Sequence, residues 1–345
     1  MHPTRTGTRP IPQTPAPTRT LSGITPSGSL TLGNYLGALR RFVDGQDSTS
    51  GSRDSYYFIA DLHALTMPHD PQQQRELTLE TAALYFAAGL DPSRCAVFVQ
   101  SQVRAHVELS YLLESTAYVG ELSRMIQFKE KGGRPRTRAS LFTYPCLMAA
   151  DILLYDTHVV PVGSDQSQHV ELARDVAARF NQAYGETFVI PRFVPPASAA
   201  RLGDLADPAR KMSKSAPPSA TGVIRMLDTP DVIARKIGKA VTDSGNEVHY
   251  DPAAKPGVSN LLDITAALVG TTPESVAEQC PSYGVLKRAC TEAVVATLEP
   301  IRHRYAELVA DRSSLLATLA DGANQASAQA DLVVRRAKHA MGLLC

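Results

Sequence analysis

Cysteine is scarce in this chain: five residues in 345, at Cys95, Cys146, Cys280, Cys290 and Cys345. The count is odd and no two are spaced as Cys-x-x-Cys. This argues against a disulfide framework or a zinc knuckle and suits a reducing, cytoplasmic setting. Long apolar runs are missing too, so nothing reads as a membrane span. An excess of either charge is absent: 35 Lys and Arg stand against 34 Asp and Glu, for a formal net charge of +1. No global basic field announces nucleic acid, and any RNA surface must be a local patch. The first twenty residues are rich in Pro, Thr and Arg and lack the apolar core of a secretory signal; residues 1–20 read as a disordered tail. Tryptophan is absent altogether. What remains is a globular composition, 43% hydrophobic and 20% charged, in a chain long enough for more than one domain.

Chemistry concentrates first between Ser22 and Arg40. A short apolar strand, Thr20 to Ile24, turns through Pro26, Ser27 and Gly28. It enters a helix whose apolar positions, Leu32, Tyr35, Leu36, Leu39, Phe42 and Val43, follow the period of a half-buried helix. A strand, a small-residue turn and a helix N-terminus can hold an anion, because free N–H groups and the helix dipole face it. Ordinary turn chemistry explains Gly28 and Gly33 equally well on this evidence alone. A second stretch, Lys211-Met212-Ser213-Lys214-Ser215, lies in a loop rich in Ala, Pro and Ser. Two lysines three apart with hydroxyls between them suit a clamp on a polyphosphate.

Between these stretches the pattern is βαβαβ, which predicts a doubly wound parallel sheet. Tyr56 to Ala60 reads as a buried strand ending at Asp61 and His63, where polar residues face a ligand crevice. His63 by itself reads as a satisfied loop histidine. Asp70-Pro71 opens a helix to about Ala88, stopped by Gly89, and Ala96 to Gln100 is the next strand. Lys129 to Arg138 is strongly basic, as a solvated loop also would be. Tyr144 to Tyr155 is a helix with Pro145 in its first turn, placing Tyr144, Met148 and Asp151 on one face. A carboxylate among apolar neighbours needs a partner. A basic neighbour would satisfy it, and so would an indole, which has one N–H donor and no acceptor. Val159 to Val162 is a further strand, and Gly163-Ser164-Asp165-Gln166 turns into a helix from Ser167 to Ala183, on which His169 and Glu171 read as structural. Pro191 to Pro218 is a connector carrying the lysine loop. From about Met226 the chain is helical: Asp231 to Ala240, Asn260 to Val269, Pro273 to Gln279, Val285 to Val309 interrupted at Pro300, and about Ala323 to Met341.

The two motifs together resemble those of the class I aminoacyl-tRNA synthetases, with Thr31-Leu32-Gly33-Asn34 in place of the usual His-Ile-Gly-His. Within Pro26-Ser27-Gly28-x-x-x-Leu32-Gly33-Asn34-Tyr35 this variant is similar to the tryptophanyl-tRNA synthetases of bacterial type. The likeness continues through Ile59-Ala60-Asp61-Leu62-His63, Phe128-Lys129-Glu130-Lys131, Met148-Ala149-Ala150-Asp151-Ile152-Leu153 and Val162-Gly163-Ser164-Asp165-Gln166-Ser167-Gln168-His169. It covers nearly all of the chain after residue 20.

The resemblance implies a Rossmann-like α/β catalytic domain over 21–225, with a helical insertion at about 104–140 and the lysine loop at 211–215. An all-helical anticodon-binding domain over 226–345 follows. It implies activation of L-tryptophan by ATP, with Mg²⁺ accompanying the nucleotide and no structural metal, and then transfer to tRNA(Trp) by a cytoplasmic homodimer. ATP would meet Thr25, Pro26, Ser27, Gly33 and Asn34 on one side, Gly163, Ser164 and Asp165 on another, and Leu202 with Lys211, Met212, Ser213, Lys214 and Ser215 on a third. Thr31, Asn34, Lys131, Lys211 and Lys214 would act on the phosphates. Tryptophan would lie among His63, Tyr144, Met148, Asp151, Val160, Val162 and Gln166. The chain departs from the family at Thr25, usually Gln, at Ala216, usually Asp, and at Gly203-Asp204, often Met-Ser. The related tyrosine enzymes tend to have Gln three residues before the pocket Asp, where this chain has Met148. A silent paralogue that only binds tRNA is opposed by Lys211 and Lys214. A tryptophan ligase without tryptophan can be translated when its own product is scarce. Chance accounts for the absence as well, since tryptophan is rare everywhere; with Thr25 the alternative to a housekeeping enzyme is an auxiliary one that tolerates tryptophan-like inhibitors.

Overall fold

The computed structural model describes residues 19–46, 54–160, 167–193, 202–245 and 247–344. Five strands form one sheet: β1 (Thr20–Ile24), β2 (Ser55–Ile59), β3 (Ala96–Val99), β4 (Val159–Val160) and β5 (Arg192–Phe193). Their order is β3-β2-β1-β4-β5 and every pairing is parallel. Every residue of β2 is buried, as expected of a strand covered on both faces. Successive side chains therefore enter opposite cores. Tyr57 and Ile59 join Ile24, Leu39, Phe42 and Tyr85 on one side, while Tyr56 and Phe58 join Phe98, Leu109 and Tyr155 on the other. The chain winds outward from β1 through β2 to β3 and then returns to β4 and β5. The switch point lies between β1 and β4, and a crevice opens outside their carboxyl ends.

The helix Pro71–Ala87 has the expected start: Asp70 Oδ1 accepts from the Gln73 N–H at 2.8 Å, and Pro71 needs no donor there. The helix after β1 is less regular than its apolar period implies. Leu32–Asn34 is α-helical, Tyr35–Leu39 is a single π turn and Arg40–Gly45 returns to α. The pocket helix runs Ala139–Leu153 and begins five residues before Tyr144, so Pro145 sits in its interior and not in its first turn. Burial of Cys146, Ala149, Ala150, Ile152 and Leu153 holds the helix together across the missing donor.

After residue 226 the helices are Pro230–Gly238, Pro256–Val269, Pro273–Gln279, Tyr283–Ala310 and Arg312–Ala340. Tyr283–Ala310 continues through Pro300 without the expected break, and the last helix starts eleven residues earlier than its apolar pattern suggests. That last helix returns to the sheet. A Cβ on Gly322 would lie 2.0 Å from the Val97 carbonyl oxygen, so only glycine allows the helix backbone this close to edge strand β3. Val333, Val334 and Ala337 of the same helix are buried in the core that contains Phe98. Among the described residues no helix is long and apolar enough to cross a membrane.

Candidate active site

The crevice predicted by the strand order is a cleft of about 520 Å³ at the ends of β1, β2 and β4. Its wall gathers Thr25, Ser27 and Asn34 from the first motif, Lys131 from the basic segment and Lys214 from the lysine loop. His63, Tyr144, Met148, Asp151 and Val160 line it as well. Residues separated by up to 189 positions thus meet in one place. Val162, Gly163, Ser164, Asp165 and Gln166 lie outside the described residues.

At the first motif the helix start is a reciprocal cap. Asn34 N–H donates to Thr31 Oγ1 at 3.3 Å, while Asn34 Oδ1 accepts from Thr31 N–H at 3.0 Å and from the Thr31 hydroxyl at 3.1 Å. Thr31 is fully buried. Thr31, expected to act on the phosphates, turns its hydroxyl to Asn34, and Asn34 lines the cleft. With its oxygen engaged, Asn34 offers a ligand its amide nitrogen, a donor.

The lysine loop is anchored from below. Met212 is buried beside Gly33, and its N–H donates to the Leu202 carbonyl at 3.0 Å. Leu202 and Met212 are core residues, so neither side chain reaches the cleft. Pro26 and Gly33 support the turn and do not line the cleft either, while Lys211, Ser213 and Ser215 are exposed beside it. Lys214 crosses to the first motif and donates from Nζ to the Thr25 carbonyl at 2.5 Å. Gly28, at φ +155°, lies against the same lysine: a Cβ there would meet the Lys214 carbonyl oxygen at 2.4 Å. The two motifs are therefore in backbone contact, and Gly28 is more than ordinary turn chemistry. Burial, and secondarily the charge of Lys211, pulls the Lys214 ammonium down to about 8. Lys131 is exposed, and its ammonium donates to Gln127 at 2.7 Å.

The apolar end of the cleft closes on Asp151, which is 2% exposed. Among the described residues no lysine or arginine pairs with it. His63 Nε2 lies 2.7 Å from Oδ2, while Gln100 Nε2 donates to Oδ1 at 2.7 Å and His106 Nδ1 lies 2.6 Å from the same oxygen. The Tyr155 hydroxyl lies 2.8 Å from His106 Nε2, which fits an arrangement in which Tyr155 donates and His106 turns Nδ1–H toward the carboxylate. Burial pushes the Asp151 carboxyl up, but the charge of His63 and the hydrogen bonds from His106 and His63 outweigh it and hold it below its ordinary value. Among the described residues two donors reach Oδ1 and one reaches Oδ2, so Oδ2 keeps room for one more donor.

Three groups escaped the sequence reading. Gln100 and His106 reach Asp151 from the segment after β3, and no local period encodes that meeting. His169, read as structural, lines the cleft, and its Nε2 lies 2.6 Å from the Tyr144 hydroxyl, whose own ionisation burial pushes up to about 12. The motif run ending in His169 was the available signal. Glu171 points to solvent. Among the described residues no cluster of three or more His, Cys, Asp or Glu could hold a metal ion.

Comparison with known proteins identifies the family. The family described as tRNA synthetases class I (W and Y) matches residues 13–299. The chain belongs to that family. A tryptophan–tRNA ligase 1 of Streptomyces coelicolor is 52% identical over 95% of this chain and 98% of its own length. A tryptophan–tRNA ligase of Caldanaerobacter subterraneus is 48% identical over 94% of this chain and 98% of its own. Among solved structures, the tryptophanyl-tRNA synthetase of Mycoplasma pneumoniae superimposes with a TM-score of 0.84 at 36% identity, covering 95% of this chain and 98% of that one. That of Campylobacter jejuni, complexed with ADP and tryptophan, gives 0.78 at 32% identity, covering 94% and 100%.

Proposed function

We propose that the protein joins tryptophan to tRNA(Trp) at the expense of ATP. The observation that carries this reading is the buried Asp151 carboxylate, which keeps one open acceptor position at the apolar end of the cleft. Indole has a single N–H donor and a large apolar face; Met148 and Val160 supply the apolar wall. The substrate carboxylate then points toward Thr25, Asn34 and Lys214, where phosphates would lie.

In the first step a tryptophan carboxylate oxygen attacks the α-phosphorus in line. The bond to the bridging oxygen breaks, and pyrophosphate leaves. Lys214 and Lys211 neutralise charge on the leaving phosphates, Lys131 assists from the basic segment and the Asn34 amide orients the nucleotide. Positioning and charge are the protein's main contribution to such a transfer. Mg²⁺ would arrive with ATP and supply charge neutralisation at the phosphates, beside Lys211 and Lys214. In the second step a terminal ribose hydroxyl of tRNA attacks the acyl carbon and AMP leaves. In this reading residues 21–225 form the catalytic unit and the helices of 226–345 meet the anticodon. A second copy of the chain covers Val107, Tyr111, Tyr118 and Val119, large apolar side chains of the 104–140 insertion that are all more than half exposed. The buried free thiols of Cys95, Cys146, Cys280 and Cys290 suit the cytoplasm.

Exchange of labelled pyrophosphate into ATP tests the reading. It should depend on tryptophan and not on tyrosine; exchange with tyrosine, or none with either, would overturn it.

A further inference from the structure

Arg225 lies outside every motif noted in the sequence, yet it touches both halves of the nucleotide site. Its backbone forms an antiparallel bridge with Thr31, the residue that caps Asn34. The flanking bonds Leu32 N–H to Ile224 O and Met226 N–H to Leu30 O, each 2.9 Å, fix that register. Its side chain turns the other way, toward the stem that follows the lysine loop. Nη2 donates to the carbonyls of Ala216 at 3.0 Å and Pro217 at 2.9 Å, and Nη1 reaches that of Pro218 at 3.4 Å. Pro217 and Pro218 have no N–H of their own, so this stem is tied down mainly through its carbonyls. The other end of the loop is tied to the first motif as well, by Lys214 on the Thr25 carbonyl and by Gly28 under the Lys214 backbone. Loop, stem, Arg225 and first motif thus close a ring of contacts around the position where phosphates would bind.

We propose that Arg225 is a positioning residue for nucleotide activation: its guanidinium holds the stem of the lysine loop so that Lys211 and Lys214 face the phosphates in register with the Thr31–Asn34 cap. Burial pushes the Glu80 carboxyl up, and a hydrogen bond from Ser29 and the charge of Arg225 act against that shift. A planar fork suits this task because it meets neighbouring carbonyls with donors in fixed geometry, which a single ammonium cannot do. The proposal rests on the functional reading above, and it predicts a defect confined to ATP.

The test compares Arg225→Met and Arg225→Lys with the wild type. The chain has no tryptophan, so the change in substrate fluorescence on binding is not overlaid by tryptophan emission from the protein. Arg225→Met should bind tryptophan as the wild type does. Its kcat for pyrophosphate exchange should fall by about ten- to a hundredfold, the scale of a misplaced catalytic group, with a raised KM for ATP. Arg225→Lys should recover part of the loss. Unchanged kcat and ATP KM in Arg225→Met would overturn the proposal. So would a parallel loss of tryptophan affinity and thermal stability, which would make the residue merely structural. If Arg225→Met does not fold, wild-type kinetics in Arg225→Lys would overturn it. Absence of tryptophan-dependent exchange in the wild type would instead remove the functional reading, and this proposal with it.

Discussion

Replacing Asp151 by asparagine reverses the polarity of one atom at the end of the cleft and changes its shape hardly at all. The amide oxygen will settle where Oδ1 now lies, because Gln100 and His106 both direct donors there, at 2.7 and 2.6 Å. The amide nitrogen then takes the place of Oδ2 and faces His63, which can accept by exchanging its ring proton. The network survives, but the group offered to the substrate becomes a donor, and an indole N–H meets N–H. A hydrogen bond to a charged acceptor contributes about 1.5–3 kcal/mol, which corresponds to about a 10- to 150-fold rise in the tryptophan Kd. Alanine is a poorer probe. It strands two buried donors, on Gln100 and His106, at about 1–3 kcal/mol each and confounds affinity with folding. Asp151→Asn should therefore be assayed by fluorescence titration of tryptophan, with a melting curve run in parallel. A cooperative melt near that of the wild type with an unchanged Kd would refute the assignment of the indole contact to Asp151.

Lys214, pulled down to about 8, should lose its charge as pH rises through that value, so the KM for ATP should climb above about pH 8. Lys214→Arg keeps its charge and should lack the inflection; an inflection retained in Lys214→Arg would place the titrating group elsewhere. In the free protein the sign is set by the unfolded chain, whose lysine keeps its proton up to the ordinary value of 10.5. It binds the extra proton between about 8 and 10.5, so this group makes folding more favourable as pH rises across that window. Gly322→Ala places a Cβ 2.0 Å from the Val97 carbonyl oxygen and must displace the last helix from β3. Overpacking of this kind should cost about 1–3 kcal/mol or more, read by urea denaturation. A variant as stable as the wild type would show that the approach is not tight.

Local chemistry made much of this protein legible before any fold was known. The unbroken apolar run of β2, the Asp70-Pro71 start of its helix and the Gly89 stop all depend on neighbours within one or two turns, and the structure reproduces them with small shifts. The face shared by Tyr144, Met148 and Asp151 follows from helical spacing alone, and those three residues do line one cleft. What local spacing cannot encode is which distant group satisfies a buried polar atom. The Thr31 hydroxyl meets Asn34, a pairing the motif by itself does not announce. Asp151 seemed open to any donor, but Gln100, His106 and His63, up to 88 residues away, fill three of its acceptor positions. Pro145 was expected in a first turn and Pro300 as an interruption because proline removes a donor; both lie inside continuous helices, where side-chain burial and packing outweigh that one bond. Arg225 carries no motif at all, and its importance exists only because the fold brings Thr31 to its backbone and the Ala216–Pro218 carbonyls to its guanidinium. Periodicity and caps are written within a few residues of the chain. The pairing of buried donors with acceptors is settled only when the sheet, through its order β3-β2-β1-β4-β5, brings the ends of distant segments to one crevice.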